Sequence, residues 1–163
     1  MAKKVAVLMG SKSDLPKLED CIATLKNLQL ETVVRVMSAH RTPEIVSAFA
    51  SQAEADGFGV IIAAAGGAAH LAGVVAAHTL LPVIGIPIEN GAFKGLDALL
   101  STVQMPGGIA VATVGVGSGG AINAALLAAE MLALSDPALR ERLAADRAAR
   151  KAKVIQADQE LQQ

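Results

Sequence analysis

Residues 57–88 read GFGVIIAAAGGAAHLAGVVAAHTLLPVIGIPI, without one Asp, Glu, Lys or Arg. An uncharged apolar run of about 18 residues or more raises a membrane-spanning helix. This run is interrupted by Gly66-Gly67, His70, His78, Pro82 and Pro87. Its flanks, VIIAAA and PVIGIPI, read as short strands with a helical stretch between them. Strands of a parallel sheet are buried on both faces and lose the polar alternation of half-exposed strands. The hydrophobicity is that of a buried sheet, and no membrane partner is expected.

The pattern continues on either side. KVAVLM (Lys4–Met9) is an apolar strand ended by Gly10. A helix follows from about Leu15, with Asp14 as its N-cap and Leu18, Cys21, Ile22, Leu25 and Leu28 on one face. ETVVRVM (Glu31–Met37) is β-branched, as a strand should be. Thr42-Pro43-Glu44 opens a helix with a cap and a proline at its first position, burying Ile45, Val46, Phe49 and Ala53. After the third strand, residues 69–80 read as helix and Pro82–Ile88 as the fourth strand. A loop over Glu89–Gly95 leads to a short helix through Leu99 and Leu100, and Met105–Gly108 is a turn. Residues 109–116 (IAVATVGV) make a fifth strand, and the glycines of 115–120 open an Ala-rich helix to Leu134. Asp136-Pro137 starts a final helix that is far more polar than the rest.

Five strands separated by helices give an α/β three-layer sandwich. Its parallel sheet is expected in the flavodoxin-like order 2-1-3-4-5, as a single catalytic domain over residues 1–163 with an extra C-terminal helix at 136–163. Ligands of such sheets bind beyond the carboxyl ends of the strands, near the switch in strand order. The segments after strands one, two and three are where chemistry belongs.

The chain has 163 residues, 53% of them hydrophobic and 18% charged, which excludes a disordered or highly charged tail protein. A net charge of −1 leaves no basic field for nucleic acid or an anionic membrane. The one cysteine, Cys21, makes neither an internal disulfide nor a metal cluster and fits a reducing compartment. The basic start is followed by an apolar stretch too short for a signal peptide, so a cytoplasmic location is expected. With no Trp, no Tyr and three Phe, the core is built from Ala, Val, Leu and Ile. Mean hydropathy is nevertheless +0.48. Apolar surface left over after folding commonly becomes a subunit interface, so a homo-oligomer is expected; a tightly packed Ala-rich monomer is the plainer alternative.

Three loops carry the candidate chemistry. In Gly10-Ser11-Lys12-Ser13-Asp14, a glycine permits close backbone approach and a helix start presents free amides and hydroxyls, which suits a phosphate. It reads equally as a polar turn with an ordinary cap. Asp14 would cap the helix or accept ribose hydroxyls. In Ser38-Ala39-His40-Arg41-Thr42-Pro43, the histidine titrates near neutral pH and the arginine offers paired donors to a carboxylate or phosphate. A lone histidine is as readily structural. In Ala64-Ala65-Gly66-Gly67-Ala68-Ala69-His70-Leu71, small residues leave room for a planar group, and His70 is a second proton donor or a partly buried structural residue. His78 reads as structural, and three histidines without Cys or carboxylate spacing form no recognisable metal site. The loop Gly115–Gly120 lacks the acidic partner of a dinucleotide fingerprint, and no phosphate loop with Gly-Lys-Ser/Thr exists, so a dehydrogenase or NTPase is not expected.

MGSKSD, SAHRTP, AGGAAHL, QMPGG and NAALLAA occur in this order from Lys4 to Leu134. Together they closely resemble the family of class I N5-carboxyaminoimidazole ribonucleotide mutases of purine biosynthesis. The resemblance implies a cofactor-free, metal-free isomerase that moves a carboxylate from the exocyclic nitrogen of an aminoimidazole ribonucleotide to ring carbon C4. It also implies an octamer. By position, Ser11, Asp14 and Arg41 match the family's substrate-binding residues, with Ser13 and Ser38 in the same loops. His40 matches the proton-transferring histidine, and Gly66, Gly67, Ala69, His70 and Leu71 match the loop around the reacting carboxylate. Ala72, Ala110 and Ser118 depart from residues common in the family and bear on loop rigidity rather than on these positions.

Two alternatives stay open. The class II relative carboxylates aminoimidazole ribonucleotide directly with CO2, although AGGAAHL favours class I. A non-catalytic sensor of a phosphate ligand would need the cradle and Arg41 but not His40. The polar helix from Asp136 is expected to reach across to a neighbouring subunit.

Overall fold

Alternation inside each strand sorts the core into two faces. The computed structural model describes residues 3–162. Its strands are β1 (Lys4–Met9), β2 (Thr32–Val36), β3 (Phe58–Gly66), β4 (Val83–Ile88) and β5 (Ala112–Thr113). Its helices are α1 (Leu15–Asn27), α2 (Pro43–Gln52), α3 (Leu71–Ala76), α4 (Leu96–Val103), α5 (Ser118–Leu132) and α6 (Pro137–Leu161), with a single 3-10 turn at Lys12–Asp14. All paired strands run parallel in the order β2-β1-β3-β4-β5, as expected.

Val5, Val7 and Met9 of β1, Val60 and Ile62 of β3, and Ile84 and Ile86 of β4 point to one face, under α1 and α5. Ala6 and Leu8, Ile61 and Ala63, and Val83 point to the other, under α2 and α3. Both faces of the central strands are thus dry, which explains their unbroken apolar runs. Alanines Ala121, Ala124, Ala125 and Ala128 are fully buried, so α5 lies close against the sheet. On the opposite face, a Cβ at Gly85 would run into the Thr102 methyl of α4. Glycine is what lets that helix touch β4.

Several boundaries differ from expectation. β5 is two residues long rather than eight, because it is an edge strand that meets only Ile84 and Gly85 of β4. α3 spans Leu71–Ala76 rather than 69–80. Residues 68–70 form a turn before it, with the His70 amide bonded to the Ala68 carbonyl, and Thr79 and Pro82 stop the helix beyond it. On α2, Val46, Ala50 and Ala53 are buried, but Phe49 is half-buried and Ile45 is exposed at the β2 edge of the sheet. Asp14 and Thr42 make no side-chain cap to α1 and α2. Both side chains turn back into their own loops instead.

Asp136 does cap α6, accepting the Leu139 amide at 2.9 Å. The first turns of this helix pack on the body of the same chain. Leu139 is fully buried with Leu28 and Ala129, and the Arg142 Nε donates to the Leu28 carbonyl at 2.9 Å. From Arg147 onward every described residue is exposed. No helix is long and apolar enough to cross a membrane among the described residues.

Candidate active site

The switch in strand order lies between β1 and β3, where the chain has placed β2 on one side and then continues on the other. The loops leaving β1, β2 and β3 therefore meet beyond one end of the sheet. Between them is a cleft of about 510 Å³.

The first loop is a self-contained turn. Ser11 Oγ accepts from the Ser13 amide at 3.3 Å and from the Ser13 hydroxyl at 2.8 Å, while Asp14 Oδ2 accepts the Ser11 amide at 3.2 Å. This reciprocal capping satisfies two backbone donors and leaves the Ser11 hydroxyl proton for an acceptor in the cleft. Burial pushes the Asp14 carboxyl above its ordinary value of 3.8, against the lowering pull of the Ser11 amide, Lys17 and Arg41. A carboxyl with a raised folded pKa contributes stability that is full below its unfolded value and is lost as the pH rises through the folded value. Asp14→Asn has no charge to desolvate. It is expected to melt at a higher temperature than the parent at neutral pH, with the difference closing below 3.8. Equal melting temperatures at neutral pH would contradict this.

The second loop is organised by Ser38 and Thr42. Thr42 Oγ1 accepts the Ser38 amide at 2.9 Å and donates to the Ser38 carbonyl at 3.2 Å. Ser38 Oγ in turn accepts the amides of His40 and Arg41 at 3.3 and 3.2 Å. Arg41 reaches back to β1, its Nη2 donating to the Gly10 carbonyl at 2.6 Å. The ion pairs among the described residues are Arg147–Glu130 and Arg150–Asp146, so Arg41 brings to the cleft a guanidinium with no carboxylate in salt-bridge contact. That is a ready partner for an anionic ligand.

The third loop brings the second histidine. His40 Nε2 and His70 Nδ1 are 2.8 Å apart, with the rings edge-on at 81°. One ring nitrogen donates and the other accepts, in roles set by the tautomers of the two rings. Gly67 sits at φ +63, the left-handed region that glycine enters without a Cβ penalty. Ala65, Gly66 and Ala68 give this wall of the cleft almost no side chain.

Of the sequence-predicted residues, Ser11, Ser13, Asp14, Ser38, His40, Arg41, Gly66, His70 and Leu71 line one cleft. Gly67 and Ala69 do not; they shape the turn, and Ala69 is buried with its amide on Ser101 Oγ at 2.9 Å. Asn90, after β4, also lines the cleft and had no sequence signal beyond its place in a turn-rich loop. His78 lies outside, exposed beyond the end of α3, with Nδ1 donating to the Val74 carbonyl at 2.8 Å. Cys21 is buried in the core, which pushes its thiol up to about 12 and leaves it unreactive. The cleft thus offers an anion cradle, a guanidinium outside any salt bridge and a hydrogen-bonded pair of imidazoles against a wall of small residues.

Residues 4–153 match the family model described as AIR carboxylase. The chain is 54% identical to the N5-carboxyaminoimidazole ribonucleotide mutase of Brucella melitensis, over 88% of each chain. It is 51% identical to the enzyme of the same name from Escherichia coli K12, over 86% of this chain and 83% of that one. The crystal structure of Treponema denticola PurE superimposes with a TM-score of 0.89 at 32% identity, covering 99% of both chains. The chain belongs to the AIR carboxylase family.

Proposed function

We propose that this chain is an N5-carboxyaminoimidazole ribonucleotide mutase of purine biosynthesis, with His40 as its proton carrier. The observation that carries the reading is the His40–His70 contact at 2.8 Å in the same cleft as the unpaired Arg41 and the Ser11–Ser13 turn. The similarity to mutases of that name, 54% identical over most of their length, supports it. In this reading Ser11, Ser13 and Arg41 hold the substrate's anionic groups, and Asp14 takes ribose hydroxyls.

Protonated His40 gives its proton to the carbamate nitrogen. The N–C bond breaks, its electron pair stays on nitrogen, and CO2 leaves. The resulting aminoimidazole is enamine-like, so C4 attacks CO2 and a C–C bond forms. The hydrogen on C4 then returns to His40 as a proton, restoring aromaticity and the starting state of the enzyme. Held CO2 reacts at an effective molarity that can reach about 10⁵ M, and the small apolar side of the cleft at Ala65, Gly66 and Ala68 suits a small uncharged intermediate. Atoms and electrons balance without a redox or phosphoryl step, so no cofactor or metal is required.

The test is to supply N5-carboxyaminoimidazole ribonucleotide without bicarbonate, ATP or added metal. The C4-carboxylated product is expected. Product only from aminoimidazole ribonucleotide plus bicarbonate would instead make the chain a class II carboxylase.

The same reading takes the working form to be a cytoplasmic octamer. Leu96, Leu100 and Val103 form an exposed apolar stripe at helical spacing along α4, extended by Phe93 in the turn before it, each about half exposed or more. The distal part of α6 carries Val154 and Ile155 exposed on a helix about 20 Å beyond its own subunit. Such surface is characteristic of subunit contacts. Removing the residues after Arg147 keeps Leu139 and Arg142 anchored and is expected to shrink the particle in light scattering. A particle of unchanged subunit number would contradict the role assigned to α6.

A further inference from the structure

We propose that Ser101, on a helix that lends no wall to the cleft, is a positioning residue that sets His70 against His40. The turn between β3 and α3 has one hydrogen bond of its own, from the His70 amide to the Ala68 carbonyl at 2.8 Å, and no side chain that could add another. Gly66, Gly67, Ala68 and Ala69 offer no side chain beyond a methyl, and Gly67 sits in the left-handed region at φ +63. Such a sequence permits many backbone paths. What selects one is a side chain arriving from α4.

Ser101 Oγ accepts the Ala69 amide at 2.9 Å and is 3.3 Å from the Gly67 carbonyl, to which it can donate its proton. One hydroxyl thus straddles Ala68 and ties both of its neighbours. The other acceptor in reach is the Ala98 carbonyl at 3.2 Å, which already takes the Thr102 hydroxyl at 2.7 Å. That competition leaves Gly67 as the freer acceptor. Ala69 is only 3% exposed, so solvent has little access to replace the serine on its amide. A buried unpaired N–H is costly, and the turn would move to relieve it.

His70 is the next residue. Its ring reaches His40 through one hydrogen bond of 2.8 Å, and such bonds weaken steeply with misalignment. A small displacement of the turn therefore breaks the contact that couples the two imidazoles. Neither ring hydrogen-bonds to Ser101. It acts on them through the backbone.

The test compares the parent with Ser101→Ala, Ser101→Thr and Ser101→Cys, each also made with His70→Asn. The first readout needs no substrate: ring-nitrogen NMR signals of the three histidines in the free protein. Ser101→Ala is expected to shift the signals of His40 and His70 and leave those of His78 unmoved, and Ser101→Thr to restore them. Should Ser101→Ala lack a dispersed spectrum, Ser101→Cys, which keeps the volume and weakens the acceptor, decides on the same signals. The second readout rests on the mutase reading: Ser101→Ala should lower kcat about tenfold or more with KM changed less than about threefold, as a misplaced group does. That loss should disappear in the His70→Asn background, because two residues acting as one unit are not additive. Unchanged His40 and His70 signals, or the same fold-loss in both backgrounds, would overturn the proposal. A parent without mutase turnover would instead overturn the functional reading, and the histidine signals would still decide the role of Ser101.

Discussion

Replacing His40 by asparagine is expected to lower turnover at least about a hundredfold, the lower end of what a positioned acid–base contributes. The proposed mechanism uses one group that gives a proton to nitrogen and later takes one from carbon. Imidazole, with an unperturbed pKa of about 6.5, does both near neutral pH. Asparagine keeps much of the shape and a donor toward His70 but carries no exchangeable acid–base proton. The groups assigned to binding do not depend on the imidazole. Ser11 is held by Ser13 and Asp14, and Arg41 by Gly10 and Ser38. Ribonucleotide affinity should therefore stay close to the parent's, by calorimetry or competition. His70→Asn should lose less, since asparagine can still offer a hydrogen bond to His40. If His40→Asn keeps most of its turnover while His70→Asn loses it, the two histidines have exchanged roles. A binding-only protein would show no turnover in any variant.

The largest expected effect on stability lies at a glycine that does not line the cleft. A Cβ on Gly120 would land inside the van der Waals envelope of the Gly115 carbonyl oxygen. The obstacle is backbone, so no rotamer change relieves it; either the loop or the first turn of α5 must move. That helix lies on the core through Ala121, Ala124, Ala125 and Ala128, all fully buried, so a shift at its start disturbs the whole contact. Gly120→Ala is expected to cost about 3 kcal/mol or more, from a net stability of about 5–15 kcal/mol. Gly119→Ala is the control: nothing lies within 4 Å of its Cβ. Alanine there should be neutral or stabilising by up to about 1 kcal/mol, as expected inside a helix. Denaturant midpoints of the two variants measure the difference. Similar midpoints would contradict the close approach of the loop to α5.

These glycines illustrate what a sequence can and cannot convey. The run Gly115–Gly120 lacks the partners of a nucleotide loop, and that much is readable. That Gly120 is glycine because a carbonyl five residues earlier crosses it is a tertiary fact. The central strands were legible because burial on both faces leaves an unbroken apolar run, and the strand order followed from how parallel strands connect. That order brings His40 and His70 together from loops thirty residues apart. Helix faces were less legible. Periodicity shows that Ile45 belongs with Val46 on one side of α2, but not that the helix sits at the sheet edge, where Ile45 is exposed beside Val36. Cap positions are legible from spacing, but the bonds made there are not. Asp14 and Thr42 occupy cap positions by spacing, yet each finds a better partner in its own loop, in Ser11 and Ser38. Asn90 and Ser101 carry no local pattern at all. Their relation to the cleft exists only through β4 and α4, and a single serine in an amphipathic helix gives no hint of a turn it will meet 32 residues away.

In the proposed mutase reaction the carboxylate moves within one enzyme-held complex. That transfer is tested most directly by an isotope label on the N5 carboxylate, followed in buffer containing unlabelled bicarbonate. In the proposed mechanism, trapped CO2 returns to the C4 of the molecule it left before it exchanges with solvent. The expected result is product whose C4 carboxylate keeps most of the label, formed at a rate independent of bicarbonate concentration. Product carrying unlabelled carboxylate, with a rate that rises with bicarbonate, would show that CO2 is taken from solution and would contradict the mutase reading.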